Sequence, residues 1–395
     1  MATIEPYDSA KGKRYRVRYR KPDGKQTDKR GFRTKKDAEK FANTVEVKKL
    51  TGEFIEASAG RVTFSEFAEA WFKGKVNLAP STRARYRGVL DTHLIPTFGT
   101  DHLGDLTHER IQVWITGSAA VMSPASVRKN ITVLNQVCAE AVRRRRIAVN
   151  PAAEVELPTS VHVEKRYLTV AQVSALAKAA GTVTADPKKV GEKRHAALTE
   201  AAASRRVLVY LLAYAGLRFG EAAALRVADV NVLRSRLRIH RSVTQVSGRM
   251  VYGAPKNGKA RDVAVPKFLL DMLRETIDGK APETLVFPAA NGEPLRLRNV
   301  RRDWWNPAVK AAKDSGVPDG FTPHELRHTA ASLAIRAGAS IKSVQRMLGH
   351  SSASLTLDRY GHLFEDELDG VADRLDAHYS AECGQDVGKT LRVAN

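Results

Sequence analysis

The chain has 395 residues, enough for two or three domains at roughly 100–200 residues each. Apolar residues make up 43% and charged residues 27%, which excludes a disordered tail or a membrane protein, and two cysteines, Cys138 and Cys383, exclude a disulfide scaffold or a Cys-rich zinc module. The formal net charge of +22 calls for a polyanionic partner, nucleic acid first among them.

The charge is spread over +7 in residues 1–60, +3 in 61–164 and +12 in the remainder, so it decorates folded domains and forms no basic tail. The first residues lack an apolar signal-peptide stretch. The longest strongly apolar run, Val207 to Leu217, is too short to span a bilayer. A cytoplasmic protein with no membrane partner is the expectation.

Residues 1–60 open with Arg14-Tyr15-Arg16-Val17-Arg18-Tyr19-Arg20, a period-two alternation. A strand there puts Tyr15, Val17 and Tyr19 on one face and Arg14, Arg16, Arg18 and Arg20 on the other. Pro22-Asp23-Gly24 is a turn signal, a second strand is expected to run to Arg33, and Thr34 caps a helix carrying Ala38, Phe41, Ala42 and Val45. The result is a small sheet backed by one helix, with an arginine face suited to a DNA major groove or simply solvated.

Residues 61–155 read as all helix. Thr63-Phe64-Ser65-Glu66 is a capping box, Pro80-Ser81-Thr82 opens a second helix, and Ser123-Pro124 opens a third. That third helix ends in Arg143-Arg144-Arg145-Arg146, of which Arg143 and Arg144 are candidate phosphate contacts or a solvated end. Asn150-Pro151 stops it, and residues 156–166 read as a linker.

Residues 167–380 form a mixed domain, with 381–395 as a tail. Thr169-Val170-Ala171-Gln172 is another capping box. Residues 181–204 read as a loop or insertion, Arg205 to Ala215 as a buried helix closed by Gly216, and 229–266 as a three-stranded meander. Helices are expected around Phe268, Val300, Thr322, Ser340 and Ser354. The fold class is therefore multidomain α+β: a β-plus-helix first domain, an all-helical second, and a mostly helical third with a small antiparallel sheet.

Gly253-Ala254-Pro255-Lys256-Asn257-Gly258-Lys259 has the spacing of a phosphate-binding loop. It is followed by Ala260, which cannot ligate magnesium, and by a strand pattern where the mechanism needs a helix. His324-Glu325-Leu326-Arg327-His328 fits the zinc-peptidase pattern, with Glu365 or His350 as a distant third ligand. Arg327 between the ligands and the overall charge oppose a bound dication. The same segment also reads as an anion site. Thr322 caps a helix with Pro323 in its first turn, and His324 and Arg327 share a face beside free N–H groups.

Arg218 in Ala215-Gly216-Leu217-Arg218-Phe219-Gly220-Glu221, His324-x-x-Arg327, Leu348-Gly349-His350 and Tyr360 in Asp358-Arg359-Tyr360-Gly361-His362 stand in this order. Together they resemble the tyrosine recombinase (phage integrase) family, and Lys256, after a strand, resembles that family's hairpin lysine. Residues 61–155 are similar by helical layout, and 1–60 by layout to the arm-binding domain of some phage integrases.

The resemblance implies site-specific cleavage and rejoining of DNA through a 3′-phosphotyrosine, with Arg218, Lys256, His324, Arg327, His350 and Tyr360 as the catalytic set. Tyr360 would be the nucleophile and Arg218 and Arg327 would bind the phosphate oxygens in fork geometry. Lys256 would protonate the leaving sugar oxygen, although Lys259 and Arg261 share its turn. His324 would assist deprotonation of Tyr360 and His350 would hydrogen-bond the phosphate. Glu221 has no assigned role, and His328 reads as a supporting residue one turn behind His324.

No cofactor or metal is implied. The implied partners are double-stranded attachment-site DNA, a homotetramer on that DNA, a host DNA-bending protein and a recombination directionality factor. The other readings are a zinc metallopeptidase built on His324-Glu325-x-x-His328, a catalytically inactive DNA-binding regulator on the same fold, and an activity like that of type IB topoisomerases.

Overall fold

The computed structural model describes residues 2–10, 12–21, 24–50, 59–159, 165–182, 188, 191–363 and 367–383. The chain divides into two compact units, residues 1–162 and 163–395.

The first unit has two separate cores. In the first, β1 (Thr3–Ser9), β2 (Gly12–Arg20) and β3 (Gln26–Phe32) form an antiparallel sheet in the order β1-β2-β3. Alternation on β2 works as its sequence dictates: Val17 and Tyr19 are buried against Ala38, Ala42 and Val45 of the Lys35–Leu50 helix, with Tyr15, Phe32 and Phe41 packed around them. Strand β1 is an addition to the expected hairpin. Its signal, Ile4 and Pro6 alternating with Glu5 and Tyr7, is short and mixed, and Pro6 fits an edge strand, where a missing N–H costs no ladder bond.

The second core is all helical and gathers Phe64, Phe67 and Trp71 with Leu90, Leu94, Phe98, Ile111, Leu134 and Val137. Its helices begin where the sequence signals them. Thr63 and Glu66 close a reciprocal capping box on the Phe64–Lys73 helix, and Ser123 caps the Pro124–Arg143 helix with Pro124 in the first turn. Glu140 near the end of that helix holds Arg143 and Arg144 together as ion pairs.

The second unit is built around the Glu192–Ala215 helix, whose C-terminal half is buried between the Val170–Ala180, Lys267–Ile277 and Glu325–Arg336 helices. The expected loop at 181–204 is thus half wrong. Residues 192–204 continue the helix, because Ala196, Ala197, Ala201, Ala202 and Ala203 favour helix and outweigh the polar residues between them; 183–187, 189 and 190 lie outside the described residues.

The expected meander is also corrected. Strands β4 (Val230–Asn231), β5 (Arg236–Ile239) and β8 (Arg261–Ala264) form one sheet, while β6 (Ser242–Val246) and β7 (Arg249–Gly253) make a separate hairpin inserted between β5 and β8. Alternation alone reports strands and is silent on which of them pair. Among the described residues no helix is long and apolar enough to cross a membrane.

Candidate active site

The site grows from two helix ends that converge on one guanidinium. The Glu192–Ala215 helix stops at Gly216, which takes a left-handed φ of 63°, and a Cβ there would stand 2.7 Å from Leu348 Cδ2. The Ile341–Leu348 helix stops in the same way at Gly349, φ 64°. Arg327, only 3% exposed, donates from Nη1 to Gly216 O and from Nη2 to Leu348 O. Both acceptors are carbonyls at helix C-termini, where the backbone dipoles put partial negative charge. Burial, then the charge of Arg218, pushes the Arg327 guanidinium down to about 9, which leaves it charged at neutral pH. A buried cation held by carbonyls alone is a receptor for an anion.

Arg218 follows the Gly216 turn and caps a short helix, Phe219–Ala222. Its Nη1 donates to Glu221 Oε1 at 2.9 Å. Glu221, whose side chain is fully buried, also accepts two bonds from Arg261, at 3.0 and 2.6 Å. Burial pushes that carboxyl up, but the Arg261 hydrogen bonds and the two cations outweigh it and hold it below the usual carboxylate range. Arg261 Nε in turn donates to Met347 O at 3.0 Å, and Asn257 Nδ2 donates to Gly349 O. Glu221, unassigned from sequence, is thus the tie between the Arg218 turn, strand β8 and the end of the 341–348 helix.

Lys256 stands exposed on the turn between β7 and β8, closed by Gly258 N donating to Pro255 O at 2.7 Å. This turn is no phosphate loop: strand β8 follows it, as the sequence pattern requires. Arg218, Arg236, Lys259, Arg261, Lys342 and Arg346 line a groove of about 1310 Å³ together with His350. A groove so basic suits a phosphate backbone.

His324 caps the Glu325–Arg336 helix, two residues later than the expected cap at Thr322. The capping logic survives the shift, since Glu325 reaches back to accept from Thr322 N at 2.7 Å. His324 is open to solvent on one side. Desolvation on the other, then Arg327, Arg218, Arg359 and Lys256, hold its imidazole below the usual value. His350, 7% exposed, hydrogen-bonds Thr356 Oγ1 through Nδ1 at 3.0 Å and leaves Nε2 buried with no hydrogen-bond partner among the described residues. Burial, then Arg327, pushes it down to about 4.

Tyr360 ends the Ser354–Tyr360 helix and is completely buried, its ring among Ala331, Ile335, Val344 and Leu348 and stacked parallel to His350 at 6.4 Å. Burial pushes its phenol up to about 12. Its hydroxyl bonds His328 Nδ1 at 2.8 Å. The resemblance gives the tyrosine proton to His324, yet the ring at the hydroxyl is His328, because successive turns of the helix carry the two histidines past each other, ring centroids 5.5 Å apart. The period of the helix foretold that both share a face. Which of them meets Tyr360 depends on the depth of packing, which no periodicity reports.

Two residues assigned to the linker also belong to this site. Arg166 donates to both oxygens of Glu325, at 2.7 and 3.0 Å, and Lys165 donates to Arg359 O at 2.7 Å with its ammonium 5.5 Å from the Tyr360 ring centroid. Nothing in their short, patternless segment signals these contacts. They also count against the zinc-peptidase reading. Glu325, the base that reading needs, is bound by Arg166 and Thr322. Among the described residues no three His, Cys, Asp or Glu side chains are placed to hold a metal; Glu365 lies outside them.

The arginines of β2 keep to the face opposite its core, and Arg16 and Arg18 both pair with Glu5 across the sheet, the latter at 3.1 Å. Arg14 and Arg20 reach backbone carbonyls.

The phage integrase family profile matches residues 166–367, and the profile of the phage integrase N-terminal SAM-like domain matches 63–117. A putative prophage phiRv2 integrase of Mycobacterium tuberculosis is 27% identical over 360 residues, 88% of each chain. The integrase of Mycobacterium phage L5 is 25% identical over 328 residues, 81% of this chain and 80% of that one, and the tyrosine recombinase XerD of Pseudomonas putida is 26% identical over 301 residues, 74% of this chain and 89% of that one. Among solved structures, the Tn1549 transposon integrase bound to a circular intermediate DNA has a similar fold, with a TM-score of 0.62 at 19% identity over 79% of this chain and 99% of that one. A lambda integrase dimer bound to a core site gives 0.54 at 20% identity, over 90% and 95%. With its two converging helix ends, its buried arginine and its tyrosine, the chain belongs to the phage integrase family and is a site-specific tyrosine recombinase.

Proposed function

We propose that the chain cuts and rejoins attachment-site DNA through Tyr360, and so integrates and excises a phage or mobile element. The phenolic oxygen attacks the scissile phosphorus, the bond to the 5′ oxygen breaks, and a 3′-phosphotyrosine keeps the phosphodiester's energy for rejoining. Arg327 and Arg218 bind the non-bridging oxygens as charge grows on them. Neutral His350, its Nε2 facing no protein acceptor, and His324 at the helix N-terminus donate hydrogen bonds to the same phosphate. Lys256, on its exposed turn, delivers a proton to the leaving 5′ oxygen.

The observation that carries this reading is Arg327, a buried cation hydrogen-bonded, among the described residues, to two helix-end carbonyls and to no carboxylate. The basic groove beside it supports duplex DNA as the partner. A tetramer fits strand exchange, since two duplexes present four strands to cut, and a lambda integrase of similar fold, TM-score 0.53 at 19% identity, is a tetramer bound to a Holliday junction. Residues 1–60 act as an arm-type DNA-binding domain through Arg14, Arg16, Arg18 and Arg20, and 61–155 as the core-site binder, with Arg143 and Arg144 at phosphates. A DNA-bending host protein and a directionality factor complete the assembly.

A nicked core-site duplex, which traps the covalent complex by losing its cleaved end, tests the reading. Wild type should accumulate a protein–DNA adduct in the presence of EDTA, and Tyr360→Phe should bind the duplex and form none. An adduct formed by Tyr360→Phe would overturn it.

A further inference from the structure

His328 has no part in the mechanism above, yet it is the side chain bonded to the proposed nucleophile's hydroxyl. It lies on the Glu325–Arg336 helix, half-buried, its ring 5.8 Å from that of Tyr360 and inclined at 56°. The Tyr360 ring is fixed by Ala331, Ile335, Val344 and Leu348 on the aliphatic side and by the parallel His350 ring. A hydroxyl so held lies 2.8 Å from His328 Nδ1, and with the imidazole proton on Nε2 that nitrogen accepts from it.

This inference rests on Tyr360 being the nucleophile. Given that, we propose that His328 is a further catalytic residue, whose Nδ1 takes the Tyr360 proton as the phenolic oxygen attacks phosphorus. The Oη–P bond forms, the P–O5′ bond breaks, the Oη proton passes to Nδ1, and the leaving oxygen takes its proton from Lys256. In rejoining, the 5′ hydroxyl attacks phosphorus and gives its proton back to the Lys256 amine, the Oη–P bond breaks, and the imidazolium returns its proton to Oη.

The charged and titratable groups around His328 make this transfer conditional on DNA. His324 and Arg327 face it from its own helix, Lys165 from the preceding segment, and Arg359 with Tyr360 from the tyrosine's helix, where His350 stacks. Burial and these cations push the imidazole down to about 4, while burial pushes the phenol up to about 12. Without DNA the pair stays neutral and the tyrosine inert. A scissile phosphate on Arg327 and Arg218 offsets the field that opposes the imidazolium, so the base strengthens where the substrate is bound.

His328→Asn tests the proposal, since its amide keeps a hydrogen-bonding atom near the position of Nδ1 and cannot take up a proton. The variant should fold and bind the nicked core-site duplex as wild type does. Its adduct should form more slowly by about 10²–10⁴, the usual worth of a general base, and without the fall toward acid pH that wild type shows. A duplex with sulfur at the scissile 5′ bridging position needs no proton on its leaving group, and should restore Lys256→Ala but not His328→Asn. Tyr360→Phe separates the two claims: an adduct there overturns the nucleophile itself. With Tyr360→Phe inactive, a His328→Asn rate within about threefold of wild type, or its rescue by sulfur, overturns the role of His328 alone.

Discussion

Arg327 is the residue on which the proposed chemistry leans most. A guanidinium buried without a carboxylate costs folding free energy, and two helix-end carbonyls offset only part of that cost. Arg327→Ala should therefore cut the rate of adduct formation by about 10²–10³ or more. Quantifying trapped complex against time would show it, and a near-normal rate would remove Arg327 from the site.

His328 and His350 make a second prediction at this scale. Both imidazoles are pushed down to about 4 from 6.5. Between those values the unfolded chain binds protons that the folded chain refuses, so stability is full above about pH 6.5 and falls as pH drops toward 4. Each contributes at most about 3 kcal/mol to that fall. Urea denaturation of DNA-free protein at pH 7.5 and pH 5 should show the loss, and His328→Asn should make the dependence shallower. An unchanged dependence would mean His328 titrates normally.

At the scale of elements, Glu221 decides whether the site holds its shape. It joins the Arg218 turn to β8 through Arg261, and Arg261 reaches on to Met347 O. Glu221→Ala would leave Arg261 uncompensated, and should lower stability by about 3–5 kcal/mol, the cost of breaking a buried pair. Chemical denaturation would measure it, and a loss under about 1 kcal/mol would mean the carboxylate is dispensable.

How much of this was legible in the sequence follows from where each signal resides. Capping boxes at Thr63 and Thr169 and the glycine stop at Gly216 are local, and the helices start and end there. Arg218, His324, Arg327, His350 and Tyr360 stood out as candidates because their spacing resembles a family pattern. The Glu221–Arg261 tie, the Lys165 and Arg166 contacts and the His328–Tyr360 bond join residues far apart along the chain, and no local pattern encodes them. The β6–β7 hairpin was misjoined for the same reason, since pairing is a long-range choice.

For the whole molecule, the charge of +22 is spread over units with separate cores. The candidate active-site residues lie in 163–395, so chemistry should survive removal of residues 1–60 while recombination of long substrates declines. The separate DNA contact proposed for that domain would raise the effective concentration of distant sites. Residues 1–50 carry their own core of Val17, Tyr19, Ala38, Ala42 and Val45. Isolated residues 1–60 should bind duplex DNA at low salt and release it as salt rises. A shortened chain that recombines as well as full length would give the first domain another role.

The central claim is that Tyr360 carries the DNA between cleavage and rejoining. Digesting the trapped adduct and mapping the nucleotide-bearing peptide by mass spectrometry tests it directly. The expected result is one modified peptide, with the 3′-phosphate on Tyr360. A nucleotide on any other residue, or cleaved DNA with no protein attached, would contradict it.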